Sequence, residues 1–217
     1  MTSLLLTGAT GHIGSGLKDH FAAKGYKVIA PTRFECDLAK SGSVTQYLKS
    51  IDFTDVEFII NNAADQSVFE LANANPADIE KMMQTNFNSI AEIYSYVASH
   101  SGNLKSILNI SSIEAINARP GHTIYGASKA ALESLTKSAA NELKNIRTNA
   151  LRLGLISRPG IQSSWPEGVN AWIKSTPLGR MGEINDVTSA ADFLLTSEWL
   201  TGEILTLDGG NLSNPGW

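Results

Sequence analysis

"SLLLTGATGHIG", residues 3–14, joins a short apolar run to a glycine-rich turn, and the reading of that junction decides the fold. "SLLLT" (3–7) is short, apolar and bounded by turn residues, the pattern of a fully buried strand. The stretch after Gly14, "GSGLKDHFAAKG" (14–25), reads as an amphipathic helix. A strand that runs through three glycines into a helix reads as a phosphate-binding turn. Gly8 permits the tight bend, Gly11 lets backbone approach a pyrophosphate, and Gly14 lets helix and strand pack closely. The anion would then sit on the helix N-terminus, where free N–H groups and the helix dipole favour negative charge. Glycines at this spacing also occur in turns that bind nothing. The strand before and the helix after are what favour the nucleotide reading.

Outward from this junction the same alternation continues. "YKVIAP" (26–31), "VEFIINNAA" (56–64), "KSILNISS" (105–112), "IRTNALRLG" (146–154) and "GEILTLDGG" (202–210) read as further strands. Helical patterns occupy 43–51, 78–100, about 125–144 and 183–195 between them. Strands alternating with helices imply a parallel sheet covered on both faces by right-handed crossovers. Only "FEC" separates Arg33 from Asp37, too little for the crossover that a parallel neighbour needs. The expected fold is therefore α/β: a single doubly wound Rossmann-like domain with six parallel strands in the order 2-1-3-4-5-6, one outer strand fewer than the usual dinucleotide-binding sheet. With no linker, repeat or low-complexity segment, one domain is expected over residues 1–217.

Bulk properties narrow the function. Apolar residues make up 42% and charged residues 18%, an ordinary soluble balance. A formal charge of −4 offers no basic field for nucleic acid or an anionic membrane. No apolar run approaches the ~18 residues of a membrane span. Cys36 is the only cysteine, which excludes an internal disulfide framework and fits a reducing compartment. The start of the chain leads straight into a strand, with no basic region of a cleavable signal, so a cytoplasmic location is expected. No His/Cys/Asp/Glu spacing suggests a metal site.

"TIYGASKAALESL" (123–135) places Tyr125 and Lys129 four residues apart on a helix, hence on one face. Alone, such a pair is an ordinary helix surface. As chemistry, an ammonium beside a phenol stabilises the phenolate. Bringing a phenol from a pKa near 10 to about 7 takes roughly 4 kcal/mol of selective stabilisation. The expectation is a lowered Tyr125, able to exchange a proton with a substrate oxygen.

With these residues assembled, the chain resembles the short-chain dehydrogenase/reductase family over essentially its whole length. The matching segments come in the family's order: "TGATGHIG", "CDL", "NNAA", Asn86 in "TNFNS", "NISS", "YGASK", "IRTNALRLGLI", "PLGRMGE" and "TGEILTLDGG". The resemblance implies an NAD(P)-dependent oxidoreductase that interconverts a ketone or aldehyde and an alcohol, with Tyr125 as general acid/base. Lys129 would also hold the nicotinamide ribose. Ser112 would orient the substrate carbonyl, with Ser111 as the competing choice, and Asn86 would hold a water linking Lys129 to solvent. It assigns Asp37 and Leu38 to the adenine, Asn62, Ala63 and Ala64 to the cofactor along strand three, and the Ile156 backbone to the carboxamide. His12 and Ile13 would contact the cofactor within the glycine loop. It also implies a homodimer or homotetramer, formed through the helices that carry Asn86 and Tyr125.

"APTRF" (30–34) bears on the cofactor's phosphate. The end of strand two carries Thr32 and Arg33, with no carboxylate until Glu35. A guanidinium there pairs with a 2′-phosphate, whereas a carboxylate would repel it. NADP(H) is expected in preference to NAD(H), with NAD(H) still an option.

Three features depart from the single-domain branch of the family. The glycines are spaced G-x-x-G-x-x-G, as in the extended branch that acts on sugar nucleotides. Leu153 stands where a proline is usual, and Arg158 where a threonine often contacts the cofactor. The alternative functions are thus a sugar-nucleotide reductase or epimerase, and a regulatory protein that binds NADP without turnover. Residues 157–176, "SRPGIQSSWPEGVNAWIKST", match the family's variable substrate lid. Trp165 and Trp172 lie in it, facing either the substrate or else the domain or a partner subunit. Glu114 and His122, between Ser112 and Tyr125, could contact hydroxyls of a polar substrate.

Overall fold

Leu4, Leu5 and Leu6 point alternately to opposite faces of their strand, and each face meets its own layer of helices. The computed structural model describes residues 2–214. Its strands are β1 (Ser3–Leu6), β2 (Lys27–Ile29), β3 (Val56–Asn61), β4 (Ser106–Ser112), β5 (Arg147–Leu153) and β6 (Ile204–Leu207). They form one parallel sheet in the order β2-β1-β3-β4-β5-β6, as the sequence predicts. On one face Leu5, Ile59 and Ile107 pack against α2 (Ser43–Ser50), α4 (Ser89–Val97) and α5 (Thr123–Glu142). On the other, Leu4, Leu6, Ile60, Leu108 and Leu151 pack against α1 (His12–Ala23) and α8 (Ile184–Thr196). Each fully buried Leu or Ile contributes about 1.5–3 kcal/mol, so the two layers hold the sheet rigid beneath its C-terminal edge.

β2 is an edge strand of three residues. Its shortness, the exposed Lys27 and Pro31 just beyond it discourage a further strand from pairing there.

Local structure differs from the sequence reading in three places. α1 starts at His12 rather than Gly14. The single helix expected over 78–100 is α3 (Pro76–Met83), a π turn (Gln84–Asn88) and α4. Asn75 caps α3, accepting a hydrogen bond from the Asp78 N–H, and Pro76 takes the first helical position. Residues 157–176 are not an open loop. They carry α6 (Ile161–Ser164) and α7 (Pro166–Ser175), anchored by buried Ile161 and Val169.

Candidate active site

The C-terminal ends of the strands open into a cleft of about 1110 Å³. Gly8, Gly11, His12, Ile13 and Gly14 line it from one side, and Asn62, Ala63 and Ala64 from the end of β3. Ser112, Tyr125, Lys129 and Ile156 line it from the other side. Thr32, Arg33, Asp37, Leu38 and Asn86 are not among its lining residues.

At Gly8 and Gly14 the glycine loop is packed too tightly for a side chain. A Cβ on Gly14 would lie 2.1 Å from the Gly8 carbonyl oxygen, and one on Gly8, at φ +70°, would lie 2.8 Å from Ala63 Cα. A Cβ on Gly11 would meet only the Gly8 oxygen, at 3.5 Å. Gly11 is the N-cap of α1, with no side-chain cap and no acidic residue in the first turn. The first N–H groups of the helix are thus left to a ligand, and no carboxylate competes with an anion. These residues fit a dinucleotide's pyrophosphate. The Asn62 amide donates to the carbonyls of Thr7 (3.0 Å) and Gly8 (3.1 Å), tying the loop to β3. His12 reaches across the cleft: its Nε2 lies 2.8 Å from the Ser157 carbonyl oxygen, joining the glycine loop to the segment after β5. Arg158, one residue on, also lines the cleft.

At the end of β2, Arg33 Nε lies 3.4 Å from Asp37 Oδ1, and three quarters of the Arg33 side chain is exposed. Glu35 folds back so that one oxygen accepts from both the Thr32 N–H and the Thr32 hydroxyl, each at 2.8 Å. Those bonds hold its carboxyl below the usual range. A carboxylate therefore does stand at this strand end, delivered by a tight turn that residue spacing alone does not reveal.

α5 enters the cleft with Tyr125 and Lys129 on its buried face, 6% and 2% exposed. The Lys129 ammonium donates to the Ile110 carbonyl (2.8 Å) and lies 5.7 Å from the Tyr125 ring centroid. Burial brings Lys129 down to about 8, partly opposed by the charge of Glu133. Tyr125 runs against the sequence expectation. Its phenol is pushed up to about 12, chiefly by burial and next by the Glu114 charge, while Ser112 and Gln66 pull weakly the other way. A phenol in this environment stays protonated at neutral pH.

Asn86 is fully buried. Its side chain accepts from the Asp65 N–H (2.7 Å) and donates to the Asp65 carbonyl (2.9 Å) and to Ser128 Oγ (3.1 Å). The side chain thus pins the loop after β3 to α5. Asn86 lies within the π turn, a distortion frequent at functional sites.

Several residues around the cleft were not singled out from sequence. One turn beyond Lys129, Glu133 pairs with Arg152 through two contacts (2.9 and 2.6 Å) and accepts from Ser111 Oγ (2.8 Å). Both Ser111 and Ser112 line the cleft, but the Ser111 hydroxyl is committed to this buried network, which leaves Ser112 as the serine whose hydroxyl is not given to Glu133. The i+4 spacing from Lys129 was the available signal for Glu133. Gln66, Arg119 and Pro120 line the substrate end with Glu114 and His122, and no sequence pattern marked them. Of the two tryptophans, Trp165 lines the cleft with Arg119 stacked 4.7 Å from its ring centroid. Trp172 packs its ring against Gly154 instead. Among the described residues no cluster could hold a metal ion, and no helix is long and apolar enough to cross a membrane.

A family model described as enoyl-(acyl carrier protein) reductase matches residues 10–211. Carbonyl reductase family member 4 of Danio rerio is 33% identical over 180 residues, covering 81% of this chain and 75% of its own length. The 3-oxoacyl-(acyl-carrier-protein) reductase FabG of Chlamydia trachomatis is 31% identical over 182 residues, covering 80% and 73%. A solved structure described as ElxO with NADP bound is similar with a TM-score of 0.85, at 25% identity, over 98% of this chain and 99% of its own. With the glycine loop, Ser112, Tyr125 and Lys129 lining one cleft, the chain belongs to the short-chain dehydrogenase/reductase family of oxidoreductases.

Proposed function

We propose that the protein is an NADP(H)-dependent reductase of a small ketone or aldehyde, with Tyr125 as the group that protonates the carbonyl oxygen. The observation that carries this reading is the convergence of Ser112, Tyr125 and Lys129 on the cleft that the glycine loop opens. Two hydroxyl groups side by side suit an oxygen acceptor, which favours C=O over C=C as the bond reduced. A bound nicotinamide supplies the hydride. Tyr125, held protonated by burial, donates to the oxygen as negative charge develops there, and Ser112 orients it by a hydrogen bond. Lys129 places a cation one helical turn away, and beyond its bond to the Ile110 carbonyl it has further N–H donors for the cofactor's ribose hydroxyls.

The preference for NADP(H) rests on Arg33, and Glu35 tempers it enough that NAD(H) stays in play. The NADP-bound ElxO structure supports the same choice. Retention of both Tyr125 and Lys129 in the cleft weighs against a sensor without turnover. We place homo-oligomerisation on α4 and α5, whose outer surface presents the small exposed residues Ala127, Ala130 and Ser134. A panel of carbonyl compounds assayed with NADPH and NADH, following the absorbance of the reduced nicotinamide, tests the function. Faster oxidation of NADPH than NADH with at least one carbonyl compound is expected, and no hydride transfer to any of them contradicts the reading.

A further inference from the structure

The substrate end of the cleft carries a cation that the chemistry above does not use. Among the lining residues Glu114 is the only carboxylate, against Lys129, Arg158 and Arg119. Lys129 is tied to the Ile110 carbonyl, and Arg158 follows the Ser157 carbonyl that meets His12 of the glycine loop. That leaves Arg119 as the cation at the substrate end. Its guanidinium is held on two sides: Nε donates to Glu114 Oε1 at 2.9 Å, and Cζ lies 4.7 Å from the Trp165 ring centroid. A guanidinium has five N–H donors, and Glu114 takes one of them. Neither Nη donates to any of the described residues, and 42% of the side chain stays exposed. Glu114 keeps only 12% of its side chain exposed, and its second oxygen faces His122 Nδ1 at 2.9 Å within the wall. The positive partner of the pair is therefore the one a ligand reaches. Its charge also reaches Tyr125, where it is the weakest of the influences on the phenol.

A guanidinium fixed at Nε and on one face presents its two Nη groups as a ready fork, the shape that matches a planar carboxylate. The neighbouring charges restrict the choice further. An ammonium on the substrate would be repelled by Arg119. A phosphate dianion would meet twice the repulsion from Glu114 that a single carboxylate meets. We propose that the Nη edge of Arg119 binds a carboxylate on the substrate. The site then takes oxo acids, ketones or aldehydes that carry a carboxylate beyond the carbonyl, ahead of neutral carbonyl compounds and acyl thioesters. This rests on the reductase reading above and names its substrate class.

The test measures kcat/KM for pyruvate, levulinate and 5-oxohexanoate, each against its methyl ester, with NADPH and the full chain. It is run on the native protein, Arg119→Gln, Arg119→Lys and Glu114→Gln. The acid-to-ester ratio within each variant cancels incomplete folding, and comparison between variants cancels the intrinsic reactivity of each pair. For at least one acid the ratio is expected to fall about tenfold in Arg119→Gln, the worth of a hydrogen bond to a charged group, chiefly through KM. Arg119→Lys should keep part of it, as a point charge without the fork. Glu114→Gln keeps an acceptor for Nε and removes the opposing charge, so it should raise the ratio. A ratio unchanged within twofold in Arg119→Gln for every acid overturns the proposal, since an arginine that only braces Glu114 and Trp165 slows acid and ester alike. Reduction of acetol phosphate in preference to acetol, with no acid preferred to its ester, also overturns it. So does turnover of neutral carbonyl compounds with none of the acids reduced. No hydride transfer to any carbonyl compound overturns the reductase reading, and this substrate class with it.

Discussion

At one end of the cleft Tyr125 and Lys129 are 6% and 2% exposed, fixed by α5 and the end of β4. Past the end of β2, Arg33 keeps 75% of its side chain in solvent and pairs with Asp37 across 3.4 Å. At the first place a charge has little water around it, so its environment shifts its protonation and a substitution is felt in full. At the second, solvent and salt screen each charge, and an ion pair of this kind is worth ~0–1 kcal/mol. On the proposed reading, chemistry is concentrated where the chain gives up stability to bury polar groups. The choice between cofactors is left to a margin where small changes suffice.

That contrast sets the order of expected effects. Lys129→Met should lower turnover by about 10²–10⁴-fold and yet raise thermal stability. Between about 8 and 10.5 the folded chain has lost the Lys129 proton while the unfolded chain still holds it. Stability from this group therefore rises with pH through that window, and below it the buried charge is a cost. The methionine variant should gain about 1–3 kcal/mol near pH 7, with the gain shrinking towards pH 10, as thermal melts across that range would show. A loss of stability at pH 7 would mean that the bond to Ile110 outweighs the burial of charge.

Gly14→Ala comes next. Its Cβ would press on backbone at 2.1 Å, so the loop must open. NADPH and NADH affinity should both fall, by about 3 kcal/mol, in a fluorescence titration. A much smaller effect at the exposed margin would sharpen the contrast. Arg33→Ala should weaken NADPH by about 1.5 kcal/mol, the low end for a hydrogen bond to a charged group because Asp37 competes for the guanidinium, and leave NADH nearly untouched. Glu35→Gln should move the other way, tightening NADPH a few-fold at low salt and less as salt screens it. If Arg33→Ala changes NADH and NADPH equally, the guanidinium does not read the 2′-phosphate.

Sequence patterning carried the sheet order because it rests on short-range rules, whereas Ser112, Asn62, Ala63, Ala64 and Ile156 were reached through the family resemblance. Alternating Leu4, Leu5 and Leu6 must face two layers, and "FEC" is too short for a crossover strand. The glycine loop and the Tyr125–Lys129 spacing were legible for the same reason. What escaped depends on tertiary approach. The π turn at Gln84–Asn88 has no periodic signature, and Glu35 reaches Thr32 only once the turn after β2 closes. The raised phenol of Tyr125 follows from burial and from Glu114, eleven positions earlier in the chain, not from the helical neighbour that spacing emphasised. Trp165 and Trp172 are indistinguishable as residues, and the helices α6 and α7 separate them.

The most direct measurement is single-turnover oxidation of NADPH by the native protein and by Tyr125→Phe, on whichever carbonyl compound the native protein reduces fastest, with cofactor affinity measured alongside. The phenol's hydroxyl meets Gln66 across a long 3.5 Å contact and has Ser112 as its other neighbour, so its removal should leave the fold and NADPH affinity within a few-fold of native. The rate should fall by about 10²–10⁴-fold, as for loss of a general acid. A Tyr125→Phe rate within a few-fold of native, with cofactor affinity intact, would show that the proton comes from elsewhere and contradict the account.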